Sequence, residues 1–388
     1  MTKVTLNGLT SRPSQVWGGV RLVPLIREEP IEDLRLDARL YDADAGVVTV
    51  DPRTVYCSYI PHGYVATWAD DGAPAAAYGT QLRDAADRDR APRRMPLRFH
   101  RRMARRLDKN RLRFLPLHVA LEGYLALHFG GPTFAWKEWS REAIRRGLSP
   151  RAEEAYTGGA VRGLADALRV FEIYPGQCGV LVYAADALAA AFVVPHPADY
   201  RALHPTLIHD LYGELIYHYA MLGGPVPAFG ARVDDTAVRS LGDLRAAARA
   251  QRDEWAAFHE DVMAGGLLDG DYTREYVQEV GPYRLSRLMP SFERHRENHL
   301  GELIDDDAGR LAYLKTFRLS ENQVRRGHLL TRLAAGDWSL STTAAAMGVT
   351  EPELVRRIEA AGFGYLLRQD VRDHYRARAR GDAARRGR

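Results

Sequence analysis

Short apolar runs rich in β-branched and aromatic residues, each closed by Gly, Pro or Asp, mark the first part of the chain. Residues 20–26 (VRLVPLI), 47–50 (VVTV) and 55–60 (VYCSYI) have the length and composition of strands. Pro24 interrupts the first run and has no amide hydrogen, so an edge or a bulge is expected there. The stretch GVLVYAADALAAAFVV predicts a hairpin of residues 180–183 and 188–194, turning at Ala185 and Asp186. Between these groups the apolar spacing becomes helical over 96–108, 136–146 and 151–170. Beyond residue 222 the strand signals stop. Gly and Pro crowd into 223–230 and mark a boundary. The charged pattern of 234–307 reads as helical, with SLGDLRAAARAQRDEWAAFHEDVM as one long amphipathic stretch.

The pattern therefore predicts an α+β or α/β N-terminal region, a mixed sheet with helices, followed by an all-α segment and a C-terminal helix-turn-helix. The expected boundaries are 1–225 for a ligand- or partner-binding domain, 226–315 for a helical linker region and 316–371 for the helix-turn-helix. Residues 372–388 form a basic tail with the composition of disorder.

The helix-turn-helix expectation comes from TTAAAMGVTEPELVRRIEAAGFGYLL, residues 342–367. Two short helices meeting at a steep angle need a small residue on the first, a glycine at the turn and apolar residues under the second. Ala344 lies four residues before Gly348, Thr350 can cap the second helix, and Leu354 and Ile358 form its buried stripe. Leu329, Leu330 and Leu333 upstream supply a packing helix. Residues 323–367 resemble the helix-turn-helix of the factor-for-inversion-stimulation class and of related enhancer-binding regulators. That resemblance implies a reading helix in a DNA groove, with Thr350, Arg356, Arg357, Arg372 and Arg376 at the DNA and a homodimer matching half-sites. Glu351, Glu353 and Glu359 on the same helix oppose phosphates, which leaves packing or partner docking open as its use.

Composition narrows the picture less than charge placement does. At 388 residues the chain is long enough for two or three domains, and its net charge of +4 confers no general affinity for polyanions. Residues 83–113, however, hold thirteen Lys or Arg against four Asp. Such a cluster could grip a nucleic-acid backbone or a nucleotide pyrophosphate. The preference for Arg over Lys also follows from a GC-rich genome and carries no function by itself. Cys57 and Cys178, the only cysteines, make neither a metal knuckle nor a disulfide framework, so a cytoplasmic setting is expected. The longest apolar run is interrupted by Asp186 and falls short of the ~20 residues of a membrane helix, so no membrane association is expected.

Four pieces of the N-terminal region resemble, in order and spacing, a bacterial domain family found beside ADP-ribosylglycohydrolases and rhodanese-type phosphatases. They are VWGGVRLVPLI, AYGTQLRDAADRDR, RFLPLHVALEGYLALHF and the stretch from GVLVYAADALAAAFVV to LIYHY. The matched positions are Gly79, Asp89 with Arg90, and Glu122, while Val119 and Ala120 stand where the family's cysteine is expected. The resemblance implies an α/β fold and a setting near ADP-ribose chemistry, with no established activity. Glu122, inside an otherwise apolar strand, would act as acid or base if buried, with Arg90 as its partner and Arg94 nearby.

Asp210, Glu214 and His218 share a predicted helix face, and His295 and His299 lie four apart with Glu297 between. Both sets read more simply as solvated helix faces than as metal sites, and neither a metal nor a cofactor is expected. No phosphate loop, dinucleotide fingerprint, nucleophile elbow or zinc-protease signature is present. Two functions remain: a DNA-associated regulator whose α/β region takes a small phosphorylated ligand or a protein partner, or an enzyme or binding protein for a nucleotide or ADP-ribose-like ligand.

Overall fold

The computed structural model describes residues 3–36, 171–207 and 224–386, together with seven short strands between residues 47 and 112. Its centre is a nine-stranded sheet in which every pairing is antiparallel. The first strands are β1 (Thr10–Ser11), β2 (Gln15–Trp17) and β3 (Val20–Ile26). β4 (Val47–Asp51), β5 (Thr54–Cys57), β9 (Arg106–Leu107) and β10 (Arg111–Leu112) form a second sheet, and β6 (Tyr64–Trp68), β7 (Pro74–Tyr78) and β8 (Arg94–Pro96) a third. The helix expected over 96–108 has strand residues at both ends, because Pro96 belongs to β8 and Arg106 and Leu107 to β9.

The expected hairpin forms as β11 (Gln177–Ala184) and β12 (Ala187–Val193). Ala185 and Asp186 turn it with φ of 49° and 59°, the left-handed values that suit the twist of a two-residue hairpin. α1 (Pro197–Thr206) follows. β3 and β11 are buried along their whole length, because alternate side chains enter different cores. Val20, Leu22, Val180, Val182 and Phe192 pack with Tyr200 and Leu203 of α1 on one face. Val23, Leu25, Leu181, Tyr183 and Val193 pack on the other. Pro24 is tolerated because β3 changes partner there: β2 pairs with residues 20–22 and β1 with 25–26. The Pro24 carbonyl accepts from the Arg12 amide in the gap, at 2.9 Å.

The all-α expectation for 234–307 holds only at its start. α2 (Leu241–Phe258) is capped by the Ser240 side chain and continues into a π-type turn, His259–Met263, and a short helix α3 (Gly265–Leu268). Four strands follow: β13 (Tyr272–Val280), β14 (Tyr283–Pro290), β15 (His299–Asp306) and β16 (Leu311–Arg318). They complete the central sheet in the order β3-β11-β12-β16-β15-β14-β13. Their charges pair across strands. Glu275, Arg287, Glu302 and Lys315 stand in register on four neighbouring strands, a ladder of alternating sign. The Glu302–Lys315 pair, at 3.0 Å, is almost fully buried.

The C-terminal part is helical: α4 (Glu321–Ala335), α5 (Leu340–Ala346), α6 (Glu351–Ala360) and α7 (Gln369–Arg386). α4 starts with a capping box, in which Ser320 and Gln323 bond each other's backbone amides. α5 and α6 meet across a four-residue turn where Gly348 has φ of 64°. Ala344, Leu354, Ile358 and Phe363 share a core with Leu329, Leu330 and Leu333 of α4. Residues 372–386, within the tail expected to be disordered, are helical instead, and side chains early in α7 anchor it to α6. The Tyr375 hydroxyl bonds Glu351, and Arg372 and Arg376 both pair with Glu359. No helix among the described residues is long and apolar enough to cross a membrane.

Candidate functional site

A concentration of polar chemistry inside an apolar frame lies where the β11–β12 turn meets α2. Arg21, on β3 opposite Tyr183, is a charge in an apolar run and is 4% exposed. Its guanidinium donates to Asp186 (2.8 Å), the Ser14 hydroxyl (2.8 Å) and the Pro227 carbonyl (2.6 Å). It also lies 5.6 Å from the centre of the Trp255 ring. The left-handed turn at Asp186 brings its carboxylate to Arg21, and the extended segment before α2 brings Pro227.

The π-type turn after α2 directs His259 inward. His259 is fully buried, with Nε2 2.6 Å from the Tyr183 hydroxyl. Burial first, and the Arg21 charge second, lower its pKa to about 4, so the ring is neutral at pH 7. Burial pushes the Tyr183 hydroxyl well above the usual tyrosine range. The pair is thus a fixed hydrogen bond between two neutral groups. Its Nδ1 has no partner among the described residues.

Glu297 closes the other side. Its carboxylate is 3.6 Å from His299 Nε2 and 3.1 Å from Arg318. The adjacent His299 ring and the Arg318 charge, against burial, hold the carboxyl below its ordinary value. Gly266 gives it room, since a side chain there would collide with the carboxylate. Arg21, Asp186, Trp255, Phe258 and Glu297 are among the residues that line a cleft of about 580 Å³.

None of these residues was singled out from the sequence as part of this site. A signal existed in Arg21, a cation inside a strand with no exposed face. His295 and His299 do not share a helix face: residues 291–298 carry no helix, His299 begins β15 and is buried, and His295 is exposed. Among the described residues no cluster of His, Cys, Asp and Glu could hold a metal. Gly79, Asp89, Arg90 and Glu122 lie outside the described residues, as do Asp210, Glu214 and His218. Arg94 opens β8.

At the C-terminus, Thr350 caps α6 by accepting from the Glu353 amide. Leu354, Val355 and Ile358 are buried, while Arg356 and Arg357 are exposed. Arg357 pairs with Glu353 along the helix. Arg372 and Arg376 sit on α7, turned toward Glu359 rather than free in a tail.

A model of the ARPP-2 family matches residues 4–281. The match ends just past β13, so β14–β16, three of the four rungs of the charge ladder and the C-terminal helices lie beyond it. No curated protein and no solved structure matches the chain.

Proposed function

The chain belongs to the ARPP-2 family, and from that premise we propose that it is a cytoplasmic DNA-associated regulator, its sheet body coupled to a C-terminal helix-turn-helix. The observation that carries this reading is the charge arrangement on α6. The carboxylates that would repel phosphates are engaged within the protein: Glu351 by Tyr375, Glu353 by Arg357, Glu359 by Arg372 and Arg376. Arg356, exposed, takes part in none of the ion pairs seen among the described residues. α6 therefore offers Arg356 and Arg357 outward while its apolar side stays in the core, as a groove-reading helix requires. In this reading a homodimer sets two such helices at half-site spacing, and Arg90, Arg94 and Glu122 belong to a pocket for a small phosphorylated ligand.

Fluorescence anisotropy with labelled duplex DNA at several salt concentrations tests it. Affinity is expected to fall with salt, and the log–log slope to shrink by about 1 for each of Arg356→Ala and Arg357→Ala. A slope near zero in the unmodified protein removes DNA from the account.

A second reading draws on the family match, which spans Gly79 to Glu122, and on the resemblance to domains beside ADP-ribosylglycohydrolases. Here the chain acts on a nucleotide or ADP-ribose-like compound with Glu122 as acid or base. Turnover lost in Glu122→Gln and kept in Arg356→Ala would favour it.

A further inference from the structure

We propose that the cleft between α2 and the β11–β12 turn binds a small amphipathic amine, an apolar body carrying one cationic head. The proposal stands apart from the DNA reading and would survive its failure.

The apolar half of the cleft is made by Phe229, Trp255, Phe258 and Val262, with Leu188 and Met263 behind them. Phe229 and Trp255 pack with ring centres 4.7 Å apart. Phe258 and Val262 remain 49% and 62% exposed, although both face a concave surface large enough for a molecule of drug size. An apolar body laid on them removes that surface from water, which favours binding.

The polar half contributes acceptors. Asp186 uses one carboxylate oxygen for Arg21 and is 38% exposed, which leaves its other oxygen open, while Glu297, 31% exposed, shares its charge with Arg318. Among the described residues that line the cleft the only cation is Arg21, which is buried and already donates to three acceptors. A carboxylate or phosphate ligand would thus meet two carboxylates and a guanidinium already engaged. An ammonium would meet acceptors within an aromatic frame, where cations are stabilised further. The ligand chemistry is set by which groups are spent and which are open.

The experiment is a calorimetric titration of the full chain with three probes of one shape: 2-phenylethylamine, 2-phenylethanol and 3-phenylpropionate. The amine is expected to bind at least tenfold tighter than either of the others. Phe258→Ala, at a half-exposed position, should weaken all binding. Asp186→Asn should reduce the preference of amine over alcohol severalfold, and Glu297→Gln should do the same. Equal affinity for the three probes, tighter binding of the carboxylate, absence of binding by the amine, or amine binding unchanged in both Phe258→Ala and Asp186→Asn would each overturn the proposal.

Discussion

The Lys315 ammonium lies 3.0 Å from the Glu302 carboxylate across β16 and β15, with neither side chain more than 3% exposed. Burying two charges costs several kcal/mol of hydration for each, which their attraction offsets only while both are present. Glu302→Gln should therefore destabilise the protein by about 3–5 kcal/mol. The double variant Glu302→Leu with Lys315→Met should recover most of that loss. Urea unfolding of the two proteins checks this; equal losses would mean that the pair is not treated as a unit by the fold.

Acid should act through the buried histidines. His259 and His204 both have pKa values lowered to about 4, in each case chiefly by burial, and the native state holds them neutral. Unfolded, they take up protons near 6.5. The unfolded chain therefore binds more protons between pH 6.5 and 4, and stability must fall as pH falls through that window. Each histidine should account for a loss on the order of 3 kcal/mol at pH 4. His259→Phe should flatten part of this dependence in melts recorded from pH 7 to pH 4. An unchanged slope would show that His259 is not protonated on unfolding.

Gly327 lies inside α4, where alanine would ordinarily stabilise a helix by roughly 1 kcal/mol. Here a methyl group would enter the ring of Phe292, which is itself held at φ of 53° and 2% exposed. Overpacking typically costs about 1–3 kcal/mol, more than the helical gain. Gly327→Ala should lower the melting temperature, and a raised one would mean that Phe292 yields easily.

Gly348 gives the opposite case. A methyl group there meets nothing within 4 Å, but the φ of 64° is left-handed. Gly348→Ala should cost about 1–2 kcal/mol from backbone strain alone. Gly348→Asn should cost less, because asparagine visits that region more readily. Thermal melts of the two variants give the comparison.

Local pattern made the N-terminal strand, the hairpin and the C-terminal helices legible. VRLVPLI and GVLVYA are apolar without interruption except at Arg21 and Pro24, and such runs have few alternatives. Ala344, Gly348, Thr350 and Leu354 carry their meaning in one short window. β13–β16 escaped notice because their charges mimic the spacing of a solvated helix. Arg274 pairs with Asp305 at 2.6 Å and Arg287 with Glu275 at 3.4 Å, across strands rather than along one. The cleft was invisible for a related reason. Arg21, Asp186, Trp255 and Glu297 come from segments far apart in the chain, and no window contains two of them with a recognisable spacing.

α4 belongs to two cores at once. Val324, near its start, is packed within the sheet, while Leu329, Leu330 and Leu333, a turn or two later, are packed with α5 and α6. Fifteen residues of helix, about 22 Å long, thus act as a shaft with each end clamped in a different body.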